Sequence, residues 1–236
     1  MFKWLSKYGC YFMFKKDIAF IADLIGDPAR SAMLIALLEG RALTAGELAR
    51  LADISPQTAS SHLNKLIEGC LIIATAQGRH RYYHLASPEV AHALEALALL
   101  TPKPLFGFPK PLEEIQYARS CYDHLAGRLG VIVTQGLLKQ KLIKHDKQDY
   151  KLTHAGEKFF TELGIDINAL KTKRRRFAYP CLDWSERIHH LAGSLGSSIL
   201  SLLLEKRWVL RAKQGRILYL TPPGKTKLNE LLKLDL

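Results

Sequence analysis

The stretch from Thr44 to His84, TAGELARLADISPQTASSHLNKLIEGCLIIATAQGRHRYYH, predicts a helix, a tight turn, a second helix and a two-stranded ribbon. Thr44 and Glu47 have the spacing of a capping box at the start of the first helix. Ser55 is followed at once by proline, which is the signature of a second helix start. Helix, turn, helix and ribbon in this order predict a winged helix-turn-helix that binds DNA.

The second predicted helix has one apolar face and one polar face. Its apolar side chains recur at helical spacing at Ala59, Leu63, Leu66 and Ile67. A polar helix face that follows a short turn fits the major groove, where hydroxyl, amide and imidazole groups meet base edges and phosphates. The side chains that we expect to contact DNA from this helix are Ser55, Gln57, Thr58, Ser60, Ser61, His62 and Lys65.

The ribbon after the second helix is the predicted wing. It comprises residues 71–76, a turn at Gln77 and Gly78, and a return strand over residues 79–85. Arg79 and Arg81 are two residues apart in the return strand, so both guanidinium groups are expected on one side of the ribbon. This arrangement predicts that the wing contacts phosphates.

Residues 17–100 resemble the ArsR/SmtB family of bacterial regulators, and the pattern S-x-x-T-A-S-S-H-L-x-K-L from Ser55 to Leu66 is the most specific part of the likeness. The resemblance implies a homodimeric repressor that binds an inverted-repeat operator and leaves it when an effector binds. Metal-sensing members carry two cysteines where this chain has ELARLA at residues 47–52, so metal sensing at that position is not implied. A winged helix used only for protein contacts is the alternative.

Composition predicts a soluble globular protein with a basic surface. The chain has 236 residues, 48% of them hydrophobic and 24% charged, and a formal net charge of +12, which favours an anionic partner such as DNA. The excess charge lies elsewhere than the motif, because residues 17–100 carry six Lys and Arg against nine Asp and Glu. No apolar run approaches the ~18 residues of a membrane span. Four scattered cysteines predict reduced thiols and a cytoplasmic location.

Composition also divides the chain into four parts. Residues 1–16 form an aromatic, basic N-terminal arm, and residues 17–100 form the predicted DNA-binding domain. Residues 101–112 are rich in proline and are the predicted linker, because proline prevents a helix from continuing. Residues 113–236 form the predicted effector and dimerisation domain.

The last domain contains an internal duplication, with copies at about 113–170 and 177–236. The sequence H-L-A-G-x-L-G begins at His124 and again at His190, 66 residues later, and each copy continues into an apolar helix. Each copy then has a strand ending in Leu-Thr and a closing helix, which predicts two degenerate winged-helix-like lobes. The fold class expected for the whole chain is therefore mainly α with short β-hairpins.

The candidate effector residues flank the repeated motif in both copies. Cys121 and His124 are three residues apart, which would place them on one face of a helix with Asp123 beside them. Thiolate, imidazole and carboxylate groups are ligands for zinc or a similar metal, and two half-sites could combine into one. The corresponding residues of the second copy are Cys181, Asp183 and His190.

The repeated motif is also compatible with roles that need no metal. Asp183 and Glu186 have the spacing of a capping box at a helix start, and the repeated glycines fit close helix packing. Packing between the lobes, a small organic or anionic ligand between them, and metal or thiol redox sensing are the three possibilities. No cofactor is therefore assigned beyond a metal ion or a small organic ligand.

Two classes of function follow from the sequence. The first is a dimeric transcriptional repressor that responds to an effector bound in the duplicated domain. The second is an architectural or co-regulatory DNA-binding protein whose duplicated domain binds a protein partner and no small ligand. An enzyme that uses cysteine and histidine as nucleophile and base is not expected, because the sequence has no nucleophile elbow, phosphate loop or dinucleotide fingerprint.

Overall fold

The computed structural model describes residues 18–77, 80–101, 113–213 and 215–236. The chain forms two compact units, which are divided between Leu97 and Ala98. The predicted N-terminal arm, Arg79 and all of the predicted linker except Thr101 lie outside the described residues. Within the described residues, none of the helices has the length and apolar character needed to cross a membrane.

The first unit has the predicted order of a winged helix-turn-helix. Its short β1 pairs with β3, which also pairs with β2, so that the antiparallel sheet has the order β1-β3-β2. The elements are α1 (Ile18–Gly26), α2 (Pro28–Leu37), β1 (Leu43–Thr44), α3 (Ala45–Leu51), α4 (Pro56–Glu68), β2 (Ile72–Gln77), β3 (His80–Leu85) and α5 (Pro88–Ala98).

Local signals start both helices of the motif, as the sequence predicts. The Glu47 carboxylate accepts a hydrogen bond from the Thr44 amide at 2.7 Å, and the Thr44 hydroxyl accepts one from the Glu47 amide at 3.3 Å. Ser55 caps α4 by accepting from the Thr58 amide at 3.2 Å, and Pro56 occupies the first turn. Both capping predictions are confirmed, and they fix where α4 begins and thus which of its side chains face outward.

The second unit repeats one order of elements: hairpin, helix, hairpin, helix. A short α6 (Glu113–Tyr117) precedes the first copy and α9 (Ile167–Lys171) follows it. The first copy comprises β4 (Arg119–Cys121), β5 (His124–Ala126), α7 (Gly127–Lys139), β6 (Ile143–Asp146), β7 (Asp149–Leu152) and α8 (His154–Glu162). The second comprises β8 (Tyr179–Leu182), β9 (His189–Ala192), α10 (Gly193–Glu205), β10 (Val209–Arg211), β11 (Leu218–Leu220) and α11 (Pro222–Leu232).

One sequence prediction about this unit is wrong: Cys121 and His124 do not lie on a helix. They lie on the two strands of the β4–β5 hairpin, and α7 begins only at Gly127. The backbone of Gly127 has φ +77° and that of Gly193 has φ +88°, values that allow the chain to turn from a strand directly into a helix. The repeated glycine therefore marks a strand-to-helix turn rather than the interior of a helix.

The second glycine of each repeat lets the two copies approach each other. A Cβ atom on Gly130 would lie 2.6 Å from the Leu125 carbonyl oxygen and 3.6 Å from the His190 Cβ, and one on Gly196 would lie 3.3 Å from the His124 Cβ. Strand β5 packs against α10, β9 against α7, and β5 against β9. The glycines thus make room for the strand of their own copy and for the histidine Cβ atom of the opposite copy, instead of for two crossing helices.

Candidate functional site

The exposed side of α4 is the candidate DNA-binding surface. Its buried side consists of Ala59, Leu63 and Leu66, which pack in the core of the first unit as predicted. The predicted DNA-contacting residues that are exposed to solvent are Ser55, Gln57, Thr58, Ser60, Ser61 and Lys65. Because the apolar side is fixed in the core, these polar side chains form one continuous outward surface.

Three of these hydroxyl groups make hydrogen bonds within α4. Ser55 caps the helix, and its hydroxyl also lies 2.9 Å from that of Thr58. The Ser60 hydroxyl donates to the Pro56 carbonyl at 3.0 Å. Asn64 is exposed on the same helix and was not among the predicted residues, although its amide is a good reader of base edges. The DNA contacts of all these residues stay predictions.

His62 is placed differently from the other predicted residues. It is half-buried, and its Nδ1 atom lies 3.4 Å from the Arg30 guanidinium group. Arg30 is itself buried and donates to the carbonyl oxygens of Asp23 and Leu24 at 2.7 Å each. His62 therefore contacts the first turn of α2 as well as the edge of the outward surface of α4.

The wing is a hairpin, as predicted, but its first strand covers Ile72–Gln77 rather than the predicted residues 71–76. Gln77 pairs with His80 as the last residue of β2, so the prediction that Gln77 belongs to the turn is wrong. Arg81 is exposed, and its guanidinium carbon lies 5.6 Å from the centre of the Tyr83 ring. Arg81 is therefore available at the wing, whereas Arg79 lies outside the described residues.

The second unit contains a cluster of two cysteines and two histidines, in which Cys121, His124 and His190 are buried and Cys181 is half-buried. Cys121 pairs with His124 across the β4–β5 hairpin, and Cys181 pairs with His190 across the β8–β9 hairpin. Paired residues of antiparallel strands point to the same face of a hairpin, so each hairpin offers one thiol and one imidazole together. The structure thus brings together four of the six predicted effector residues as two equivalent pairs.

The ligand atoms of this cluster are close to one another. The two sulfur atoms and one nitrogen atom from each imidazole all lie within 4.8 Å of one another. The Nε2 atoms of His124 and His190 are 3.2 Å apart, and their ring centres are 5.1 Å apart. Both rings are almost fully buried, with 2% of His124 and 1% of His190 exposed. Polar groups buried in this way need partners.

Asp183 contacts the Nδ1 side of the His190 ring and forms a buried ion pair with Arg119. An oxygen of Asp183 is 3.1 Å from the Nδ1 atom of His190. Both carboxylate oxygens accept hydrogen bonds from Arg119 at 2.9 Å, and one accepts from the Gly127 amide at 2.7 Å. The carboxylate also accepts hydrogen bonds from the amides of residues 185 and 186. Asp183 therefore caps the turn between β8 and β9, and the predicted helix start with Glu186 as its capping partner is wrong.

Asp123 has the equivalent position behind His124, nearer the surface. One of its oxygens is 3.6 Å from the His124 Nδ1 atom. The carboxylate accepts hydrogen bonds from both terminal nitrogens of Arg175, and this pairing lowers the pKa of Asp123. Each histidine of the cluster thus has a carboxylate at Nδ1, and each carboxylate has an arginine.

The environment of the cluster changes the acidity of its members. The Cys181 thiol and burial together raise the pKa of Cys121 to about 11. Burial disfavours a charged Asp183, but His190 and Arg119 outweigh it and hold the pKa of Asp183 well below its usual range. Burial likewise opposes a charged His190, but contact with Asp183 and Cys121 raises the pKa of His190. Without a positive ion beside it, the Cys121 thiol therefore keeps its proton at neutral pH.

The sequence also allows a site for a small organic ligand between the two copies. The apolar core there contains a cavity of about 30 Å³, lined by residues of both copies that include Leu137, Phe160 and Leu203. Drug-sized ligands occupy pockets of about 300–1,000 Å³, so this cavity is too small for one. The polar cluster is therefore the better candidate for a ligand site between the copies.

The sequence contains a spacing of cysteine and histidine that indicates this cluster. The prediction that Cys121 and His124 lie on a helix hides it. Cysteine and histidine are separated by two residues in the first hairpin and by eight in the second, which gives C-x2-H and C-x8-H. If each pair is placed on two antiparallel strands instead of on a helix, both pairs point to one face. The loop of different length hides the equivalence of the two hairpins in the sequence.

Comparison with known proteins matches this chain to a helix-turn-helix domain and to transcriptional regulators. A model described as a helix-turn-helix domain matches residues 25–73. The chain is 44% identical over 223 residues to the uncharacterized HTH-type transcriptional regulator YdfF of Bacillus subtilis, with 93% of this chain and 99% of that protein covered. It is 36% identical over 86 residues to the HTH-type transcriptional regulator CmtR of Mycobacterium tuberculosis, with 36% of this chain and 71% of that protein covered.

Among solved structures, the chain is similar to the homodimeric winged helix-turn-helix domain of Mb0332 from Mycobacterium bovis, described as a possible ArsR-family transcriptional regulator. The sequence identity is 24% and the TM-score is 0.34. The match covers 35% of this chain and 76% of that chain.

Proposed function

Because this chain belongs to the HTH-type transcriptional regulators and carries an ArsR-type winged helix-turn-helix, we propose that it is a dimeric repressor that reads an inverted-repeat operator. It binds DNA rather than catalysing a reaction, and it acts where bacterial DNA is, in the cytoplasm. The second unit holds the effector that changes its affinity for DNA. Each of these refinements goes beyond family membership and needs its own test.

One observation supports the proposal most strongly: α4 presents a polar surface that its own core residues hold in place. Gln57, Ser61 and Lys65 are four residues apart in turn, so they follow one side of the helix, and all three are exposed. Amide and hydroxyl groups read base edges, whereas a lysine at the end of the row suits a phosphate. We assign base reading to Gln57, Ser61 and Asn64, and phosphate contacts to Lys65 and Arg81.

Exposed apolar side chains on the outer helices of the first unit support the dimer. Ile18 on α1 is 88% exposed and Leu97 on α5 is 44% exposed. A second copy of the chain that buries both would form a two-fold dimer with two α4 helices, and an inverted-repeat operator requires two such helices. The alternative is an architectural or co-regulatory protein that binds DNA with little sequence preference and uses the second unit to bind a protein.

The experiment selects bound sequences from a random DNA pool with the full-length protein and then measures affinity for the best sequence. Under the proposal, the selected sequences share an inverted repeat, and Ser61→Ala combined with Asn64→Ala lowers specific affinity about tenfold or more, because a good base contact contributes about 1–3 kcal/mol. Ser201→Ala is the matched control, since Ser201 is an exposed helical serine of the second unit. It should leave affinity unchanged.

Three results would overturn parts of the proposal. A pool that yields no common sequence would favour the architectural alternative. A shared inverted repeat whose binding survives the Ser61 and Asn64 substitutions would show that another surface reads the bases. A protein that stays monomeric at the concentrations that saturate DNA, measured by analytical ultracentrifugation, would exclude the dimer.

A further inference from the structure

We propose that Cys121, His124, Cys181 and His190 bind one divalent metal ion in a tetrahedral site, and that zinc suits this site best. The four side chains come from two hairpins, one in each copy of the duplication, so the ion would join the copies. The site does not depend on the proposed function, because it rests only on the geometry of the second unit. It also lies in a different unit from the helix-turn-helix.

The spacing of the ligand atoms agrees with a tetrahedral zinc site. With Zn–N bonds of about 2.0–2.1 Å, two imidazole nitrogens of a tetrahedron are roughly 3.3 Å apart. The Nε2 atoms of His124 and His190 are 3.2 Å apart. Both sulfur atoms lie within 4.8 Å of each other and of one ring nitrogen of each histidine, which is close enough for all four side chains to reach one ion. Two thiolates with two imidazoles are a common ligand set of structural zinc.

The outer contacts of the histidines also fit a metal site. Metal-binding histidines usually donate their second ring nitrogen to a carboxylate, which fixes the tautomer and the orientation of the ring. Neither Nδ1 atom of the two histidines makes a well-aligned hydrogen bond, yet carboxylate oxygens lie 3.1 Å from that of His190 and 3.6 Å from that of His124. A metal at both Nε2 atoms would place a proton on each Nδ1, facing Asp183 and Asp123.

A divalent cation bound by two thiolates keeps the charges around the cluster in balance. Asp183 is compensated by Arg119, and Asp123 is compensated by Arg175. Two thiolates and a divalent ion sum to zero, and the two neutral imidazoles add nothing. Binding therefore converts two thiols into two metal-bound thiolates and releases two protons to solvent. The buried site then carries no net charge, which removes the cost of an uncompensated ion in the interior.

The surroundings indicate a closed site rather than a catalytic one. Four protein ligands fill a tetrahedron and leave no open position for water or substrate. Cys121, His124 and His190 are buried and Cys181 is half-buried. Strand β5 packs against α10, and strand β9 packs against α7. The ion would therefore stabilise the association of the two copies, and its loss would loosen the contact between β5 and β9.

The test begins with the full-length protein freed of metal by a chelator under reducing conditions. Native mass spectrometry after addition of zinc should show one ion per chain. Titration with Co²⁺ should produce the visible bands of tetrahedral cobalt and a thiolate-to-cobalt charge-transfer band in the near ultraviolet, both saturating at one equivalent. Thermal unfolding should occur at a higher temperature with zinc than without it, because the ion binds only the folded cluster.

Matched variants separate this site from other metal ligands. Cys181→Ser and His190→Ala should each abolish the cobalt spectrum or weaken zinc binding more than a hundredfold. Cys70→Ser and His189→Ala are the controls, since Cys70 lies in the first unit and His189 is the exposed neighbour of His190. Asp123→Asn keeps all four ligands and should weaken zinc binding about 10–100-fold, as loss of an outer carboxylate does. Circular dichroism of each variant verifies the fold.

Several results would overturn the inference. Folded, reduced wild-type protein that takes up no zinc or cobalt would exclude the site. Binding that survives both Cys181→Ser and His190→Ala would place the metal elsewhere. A purified protein that lacks metal and shows the mass of a Cys121–Cys181 disulfide, and that still binds no zinc after reduction, would make the cluster a thiol pair instead. The zinc measurements use no DNA, so their failure leaves the proposed repressor function untouched.

Discussion

The helix-turn-helix and the paired hairpins use polar residues in opposite ways. On α4 the polar side chains face solvent, and their partner must come from outside the protein. At the β4–β5 and β8–β9 hairpins the polar side chains face one another inside the protein, and each buried charge has a partner within reach. Exposure therefore suits α4 for contact with a large partner, whereas burial limits the hairpins to a small ion.

The same difference determines what each region contributes to stability. An exposed polar side chain can be replaced at little cost in folding, so its loss is expected to affect binding alone. A buried charged side chain cannot be removed without leaving its partner uncompensated. Four measurements would sharpen this contrast or break it, and they follow from the largest expected effect to the smallest.

Replacement of Arg119 should have the largest effect on stability. Arg119→Met leaves the buried Asp183 carboxylate without its cation, which typically costs about 3–5 kcal/mol. Arg175→Met is the matched control, because it breaks the exposed pair with Asp123 and should cost about 0–1 kcal/mol. Urea unfolding of the full-length protein measures both. Equal losses in the two variants would contradict the assignment of the Arg119–Asp183 pair as the interior anchor of the hairpins.

An added methyl group should distinguish the glycines of the two regions. A Cβ on Gly196 would lie 2.4 Å from the Leu191 carbonyl oxygen, so Gly196→Ala should destabilise the protein by about 1–3 kcal/mol. A Cβ on Gly46, in α3, meets nothing within 4 Å, and Gly46→Ala should stabilise it by about 0.5–1 kcal/mol. Thermal unfolding of the two variants gives the sign of each change. A stable Gly196→Ala protein would contradict the close packing of Gly196 against the Leu191 carbonyl group.

Acid should weaken the start of α3 through Glu47. Hydrogen bonds from the Thr44 amide and hydroxyl lower the pKa of Glu47 in the folded state. The stability contributed by Glu47 is therefore present above the unfolded pKa of about 4.3 and is lost as pH falls through the lower folded value. Glu47→Gln should remove about 1 kcal/mol near neutral pH and flatten this part of the acid dependence. Urea unfolding of the wild type and of Glu47→Gln at a series of pH values measures this difference, and the same acid dependence in both proteins would contradict it.

Replacement of Lys65 should change DNA binding and almost nothing else. Lys65→Ala should alter the free energy of unfolding by less than about 0.5 kcal/mol, because the side chain is exposed. The slope of log affinity against log salt should fall by about one, as loss of one phosphate contact requires. Lys144→Ala, an exposed lysine of the β6–β7 hairpin, is the control. An unchanged slope for Lys65→Ala would remove this residue from the DNA-binding surface.

The first unit could be predicted closely from sequence because its signals are local. The capping residues Thr44, Glu47 and Ser55 lie within a few positions of the helix starts that they stabilise, and the apolar period of α4 is a property of one helix. His62 was the exception, since its half-buried position depends on Arg30, 32 residues earlier in the chain. Sequence spacing alone does not contain this contact.

The second unit was predicted in outline but not at its cluster. Repeats of the same motif revealed the duplication, and the helix–hairpin–helix of each copy is present as expected. The first hairpin was missed because β4 and β5 have three residues each, too few for an alternating pattern to be recognised. The pairing of Cys181 with His190 spans a long loop, and the meeting of the two hairpins is a tertiary contact.

The four clustered residues come from two repeats of one chain, so their assembly does not depend on the concentration of the protein. Two separate chains would lose such a cluster as their concentration falls, because its halves would have to meet by diffusion. Joined by one backbone, the halves remain at a high effective concentration however few molecules a cell contains. Assembly of this centre is therefore independent of protein copy number, even where association into dimers is not.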